Sequence, residues 1–204
     1  MAPGSARATP DLRPPGTSAL VAALLGQVYE KDIEFRTTGA RGAPWAPVEA
    51  ADVTAGVAHE RGPWKVHCEP VVHGHGLRFS RSFLDRWTCL GYRLEADGKV
   101  LAISGDTVEC DALDRLAKEA DLLVQCCYLA RREITTPAFI RLAGATIACG
   151  DSVGRVATRA KAKSLVLTHF RPKPERVMAA LADEVRCDYD GPVTLGVDLA
   201  EFAV

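Results

Sequence analysis

Residues 91–107 read GYRLEADGKVLAISGDT, and two features of this stretch set the rest of the chain in place. Asp97-Gly98 lies between two apolar-rich runs, CLGYRLEAD and KVLAIS, which predicts a two-residue hairpin. The second run then ends in Gly105-Asp106-Thr107, small turn-forming residues that leave a carboxylate where a strand gives way to a loop. A carboxylate in that position is a candidate metal ligand or general base, and either role needs partners elsewhere in the chain.

Upstream the pattern is strand-like, with DVTAGVAHE (52–60) and WKVHCEPVV (64–72) ahead of the hairpin. Between them and the hairpin, GLRFSRSFLDRWT (76–88) reads as a loop carrying aromatic and basic side chains. Downstream, helical and strand patterns alternate. CDALDRLAKEA is helical, DLLVQCCYL a buried strand, and TPAFIRLA and DSVGRVATRAKA helical; SLVLTHF is a strand, PERVMAALADEV a helix and GPVTLGVDL a last strand. That order predicts an α/β layered sheet with active groups at strand ends.

The N-terminal region is different in character. Residues 1–17, rich in Pro, Gly and Ser, are expected to be a flexible segment, followed by a single domain over 18–204. SALVAALLGQVYEKDIEFR (18–36) has helical spacing with Ser18 as its expected cap, and RTTGARGAPWAP reads as a loop.

Composition excludes several classes of function. The 204 residues carry 25 basic and 26 acidic side chains, interspersed rather than gathered, which argues against a nucleic-acid surface. There is no run long and apolar enough to span a membrane and no apolar core of a signal peptide in MAPGSARATPDLRPPG, so a cytoplasmic protein is expected. Seven cysteines, an odd number with no CxxC spacing, read as buried small hydrophobes.

Two further strand ends match Asp106. SLVLTHF presents His169 and PVVHGHG presents His73, each after apolar residues and before a loop. Two imidazoles and a carboxylate are nitrogen and oxygen donors suited to zinc or another divalent transition ion. Singly, such a histidine is more often a hydrogen-bonded structural residue, and a turn aspartate more often closes an Asx turn.

Taken in order, PVVH, GYRLEADGKVLAISGDT, LAKEADLLVQ and RVATRAKAKSLVLTHFRP resemble the C-terminal half of metallo-β-lactamase-fold hydrolases of the ribonuclease Z and arylsulfatase-like branch. The resemblance runs from residue 50 to residue 175. It implies two sheets sandwiched between helices, the αββα arrangement, with a dinuclear metal centre at one edge. His73 then matches a metal-binding histidine, Asp106 the metal-bridging aspartate and His169 the final metal-binding histidine.

The departures from the pattern matter equally. The family's HxHxDH string does not occur, and the one HxH, His73 with His75, lacks the following Asp-His. Where the family has a histidine opening HEA, this chain has Gln125, and no histidine lies between His75 and His169. Two hydrolytic metal ions need about eight ligand positions, most of which that string supplies, so the three matched residues read as a vestigial site.

The resemblance therefore implies an accessory subunit that completes a full-length paralogue, with no cofactor in this chain and a divalent ion (zinc, iron or manganese) in the partner. A sheet left with one uncovered face also calls for a partner. The arrangement resembles the two-component hydrolase of this fold that cleaves the methyl ether of 2,4-dinitroanisole, giving a nitrophenol and methanol from a small aromatic substrate. Arg78, Phe79, Arg81, Phe83 and Trp87 are the candidates for an interface or a substrate pocket. Two alternatives remain: an independent single-metal hydrolase using His73, Asp106 and His169, and a non-enzymatic binding or regulatory module.

Overall fold

A computed structural model describes residues 11–38 and 48–204. The chain divides into two compact units, Met1–Thr54 and Ala55–Val204. Much of the expected flexible segment and most of the RTTGARGAPWAP loop lie outside the described residues.

In the first unit, strand β1 (Asp11–Arg13) pairs in parallel with β2 (Ala50–Asp52). Between them run helix α1 (Thr17–Ala23), a π turn over Leu24–Val28, and helix α2 (Glu30–Thr38). The expected cap does not operate. Ser18 lies inside α1, and Asp52, 34 residues on, accepts from the Ser18 N–H at 2.9 Å and the Gly16 N–H at 3.0 Å. These bonds satisfy N–H groups that the first helical turn leaves free, and they hold the Asp52 carboxyl below its usual range.

The second unit is a seven-stranded sheet in simple sequential order: β3 (Gly56–Arg61), β4 (Trp64–Val71), β5 (Cys89–Ala96), β6 (Lys99–Ile103), β7 (Leu122–Cys126), β8 (Leu165–Thr168) and β9 (Val193–Leu195). The first four strands are antiparallel and the last four parallel, with β6 common to both halves. The predicted hairpin joins β5 and β6. Asp97 at φ 51° and Gly98 at φ 74° both take the left-handed conformation that a type I′ turn demands.

The change to parallel pairing follows from the connections. Parallel strands need a crossover, and α4 (Asp111–Ala117), α5 (Pro137–Ala145) with α6 (Val153–Ala160), and α7 (Glu175–Arg186) supply them. Leu113, Leu116, Val156, Leu181 and Val185 of these helices are fully or almost fully buried, as are Leu123, Leu165 and Leu167 of the strands they cover. Burying each such side chain contributes about 1.5–3 kcal/mol, so this single helix-covered face holds most of the core.

The opposite face is defined by the register Val66–Leu94–Leu101, with Trp64 and Ile103 on the same side. Leu122 and Val166 on it are buried, whereas Trp64 is 51% and Ile103 36% exposed. Val204 near the chain's end shares a shallow depression of about 280 Å³ with Trp64, Leu94 and Leu101. Among the described residues no helix is long and apolar enough to cross a membrane.

Candidate functional site

The site is built around the turn after β6, where each residue of Ser104-Gly105-Asp106-Thr107 has a separate task. The Ser104 hydroxyl accepts from the Cys126 N–H at 3.0 Å and donates to the Gly105 carbonyl at 2.7 Å, tying the turn to β7. Gly105 has φ 62°, and a Cβ there would stand 2.4 Å from the Leu90 carbonyl oxygen, so only glycine fits. Thr107 is fully buried. Its hydroxyl accepts from the Val72 N–H at 3.1 Å and lies 2.8 Å from the Val108 carbonyl, while the Val108 N–H donates to Val72 at 2.9 Å.

Those bonds fix the strand end that carries His73 beside the turn that carries Asp106. A third segment is fastened to the same place, because the Ala148 N–H donates to the Thr107 carbonyl at 2.7 Å. The turn leaves Asp106 at its tip, partly exposed, and His169 follows the last residue of β8. Their side chains meet, with His169 Nε2 3.1 Å from Asp106 Oδ2. A carboxylate only accepts, so Nε2 carries the proton in this contact. His169 itself holds φ 58°, an uncommon conformation for a residue with a side chain, and the Tyr128 ring stands edge-on to its imidazole at 5.9 Å.

His73 is held differently. Its Nδ1 is 2.5 Å from the Thr146 carbonyl, which requires Nδ1 to donate and leaves Nε2 with its lone pair. That is the tautomer and second-partner arrangement a metal-binding histidine uses. The backbone N–H of His73 donates to His75 Nδ1 at 3.2 Å, so His75 supports the loop.

The aromatic segment expected as a loop contains a short helix, α3 (Arg81–Leu84), capped by the Ser80 hydroxyl accepting from the Phe83 N–H at 3.2 Å. This turn gathers the aromatic candidates: Phe79 lies tilted against Phe83 at 4.6 Å, and Phe83 stacks on Trp87 at 5.2 Å. Trp87 Nε1 donates to the His73 carbonyl at 2.8 Å, joining the cluster to the site. Arg81 is turned to Asp85, one turn along, at 2.8 Å. Arg78 stays exposed at the edge of a cavity with Arg141.

Whether these residues suit a metal ion can be judged from the donors themselves. Imidazole and carboxylate are right for zinc, but Asp106 and His169 touch each other instead of diverging around a common point. Among the described residues no three His, Cys, Asp or Glu side chains are grouped to hold an ion. Cysteine does not fill the gap: burial pushes the Cys126 and Cys127 thiols up and Cys149 up to about 12, so all stay protonated. At the position of Gln125, the amide is fully buried and neither its oxygen nor its nitrogen has a hydrogen-bond partner among the described residues. The residues present do not fit a complete metal centre.

Sequence reasoning found Asp106, His73, His169 and the aromatic cluster. It missed Thr107, Thr146 and Tyr128, whose roles depend on neighbours 35 to 73 residues away; only the buried strand end after SGD hinted at the first.

The Beta-lactamase superfamily domain family matches residues 7–170, beginning well ahead of residue 50. Ribonuclease Z of Mycobacterium tuberculosis is 31% identical over 203 residues, covering 96% of this chain and 68% of that protein. The short form of human tRNase Z superposes with a TM-score of 0.57 at 19% identity, over 96% of this chain and 66% of that one. A metallo-beta-lactamase fold protein of Bacillus subtilis gives 0.58 at 18% identity, over 76% of this chain and 55% of that one. On a family match that spans most of its length, reinforced by a relative at 31% identity and by the αβ architecture around Asp106, the chain belongs to the beta-lactamase superfamily domain family, with ribonuclease Z-like homologues.

Proposed function

We propose that this chain is an accessory, non-catalytic subunit of a heteromeric metallo-β-lactamase-fold hydrolase, serving a longer paralogue that bears the complete metal centre. The observation that carries the reading is the direct Asp106–His169 contact, which consumes two matched donors on each other, while among the described residues no three His, Cys, Asp or Glu side chains are grouped to hold an ion. The sequence supports it through the missing HxHxDH string and the Gln125 replacement. The half-exposed Trp64, on the sheet face opposite the buried core, supports a partner.

For the reaction, we read water attack on an activated aryl methyl ether, 2,4-dinitroanisole giving 2,4-dinitrophenol and methanol. The cluster of Phe79, Phe83 and Trp87 supports an aromatic substrate, because their π faces suit an electron-poor ring. A divalent ion, zinc, iron or manganese, would reside in the partner.

The test is co-expression with a neighbouring metallo-β-lactamase-fold protein that contains HxHxDH, followed by native mass, metal content and ether hydrolysis of the isolated species. A one-to-one or higher complex with metal and activity, against a metal-free and inactive chain alone, is expected. A metal-loaded monomer that hydrolyses an activated ester or ether alone would overturn the reading and install His73, Asp106 and His169 as an independent centre.

A further inference from the structure

The loop after His75 and helix α5 enclose a cavity of about 500 Å³ lined by Gly76, Leu77, Arg78 and Arg141. Its volume lies in the range of small-molecule sites. Among the described residues the two arginines are its only charged lining side chains, and neither has an ion-pair or hydrogen-bond partner there. By contrast, Arg81 pairs with Asp85, Arg132 with Glu184, and Arg171 lies over the Phe139 ring.

The cavity has built walls. The Gly74 N–H donates to the Ala145 carbonyl at 2.7 Å, and His73 Nδ1 donates to Thr146, so the loop is fastened to the end of α5. Gly76 packs against Ala145 so closely that a Cβ would stand 2.8 Å from the alanine methyl. Arg141 lies one helical turn before Ala145, which places its Cβ on the same side of α5. The arginine pair is thus carried on two segments locked to one another.

We infer that Arg78 and Arg141 form a binding site for a small phosphate monoester. Two guanidiniums with no carboxylate among the described lining residues call for a ligand of two negative charges, which a phosphate monoester has at neutral pH and a single carboxylate lacks. The planar fork of each guanidinium also matches paired phosphate oxygens. Leu77 offers an apolar contact for the group esterified to the phosphate. Neither Asp106 nor His169 takes part, so the site stands or falls independently of an accessory role.

The test is titration of the full chain with inorganic phosphate and phenyl phosphate, and with acetate at matched ionic strength, followed by calorimetry and by NMR of the arginine Nε–H groups. Phosphate is expected to shift both arginine signals, with phenyl phosphate binding more tightly and acetate at least about tenfold more weakly. R78A and R141A should each weaken phosphate by about tenfold or more, while R61A on β3 leaves it unchanged and unaltered circular dichroism shows the variants folded. Equal binding of acetate, unchanged phosphate affinity in both alanine variants, or no phosphate binding by the wild-type chain would overturn the inference.

Discussion

His169 Nε2 stands 3.1 Å from Asp106 Oδ2, a contact between the ends of β6 and β8 made across an intervening parallel strand, β7. Both side chains are nearly half exposed, at 48% and 43%, so the pair is screened by water and adds little to stability. Its interest lies in what it does to the donors. Each lone pair or proton spent within the pair is withdrawn from an ion.

On the accessory reading, Asp106→Ala and His169→Ala should each change the activity of the assembled hydrolase by less than tenfold, about 1.4 kcal/mol in barrier. Steady-state rates of the purified complex check this, with metal content measured alongside. A loss of several orders of magnitude in either variant would place catalytic metal in this chain.

The turn that presents Asp106 is expected to be far less tolerant than Asp106 itself. Gly105→Ala must relieve both a left-handed φ of 62° and a Cβ 2.4 Å from the Leu90 oxygen, and the backbone of β5 cannot yield. We expect a loss of about 2–4 kcal/mol in denaturant unfolding, combining strain with overpacking. Thr107→Val should cost about 1–3 kcal/mol by stranding half-buried Val72 and Val108 groups, whereas Thr107→Ser keeps the hydroxyl and most of the stability.

These two residues mark the limit of what the sequence discloses. The hairpin at Asp97-Gly98, the order of helices and strands after Asp106, and the strand-end positions of His73 and His169 are local patterns, and all are legible. The capping of α1 by Asp52 is not, since a side chain 34 residues away supplanted the local candidate Ser18. Helix α3 was hidden because four residues give too short a period to recognise, although Ser80 ahead of it is an ordinary cap. The left-handed backbone of His169 has no signature in residue type at all, and the pairing of Arg81 with Asp85 rather than with a ligand depends on that same unread helix.

Gln125 offers a stability test of opposite sign. Its side chain on β7 is fully buried, with both amide atoms unpaired among the described residues. Burying an amide without partners costs roughly 1–3 kcal/mol, and a methionine of similar length fills the space without that penalty. Gln125→Met should raise the denaturant midpoint with an unchanged m-value. A lowered midpoint would show that the amide is satisfied in solution, by an internal water or by a partner chain.

Asp121 sets the expected response to acid. Its carboxylate meets Lys163 Nζ at 2.8 Å and Lys99 Nζ at 3.6 Å and accepts from the Val100 N–H at 2.9 Å. The Lys163 contact, followed by the Val100 bond, lowers its pKa from 3.8 to about 2. A folded-state value below the unfolded one means that the unfolded chain takes up the proton first, so stability from this group is complete above pH 4 and is lost as pH falls from 4 to 2. Asp121→Asn should therefore weaken the fold at pH 7 but converge with the wild-type chain near pH 2, giving a shallower acid dependence over that window. Urea unfolding at pH 7, 4 and 2 measures the difference, and a gap that stays constant across all three would show that the Lys163 and Lys99 contacts do not persist in solution.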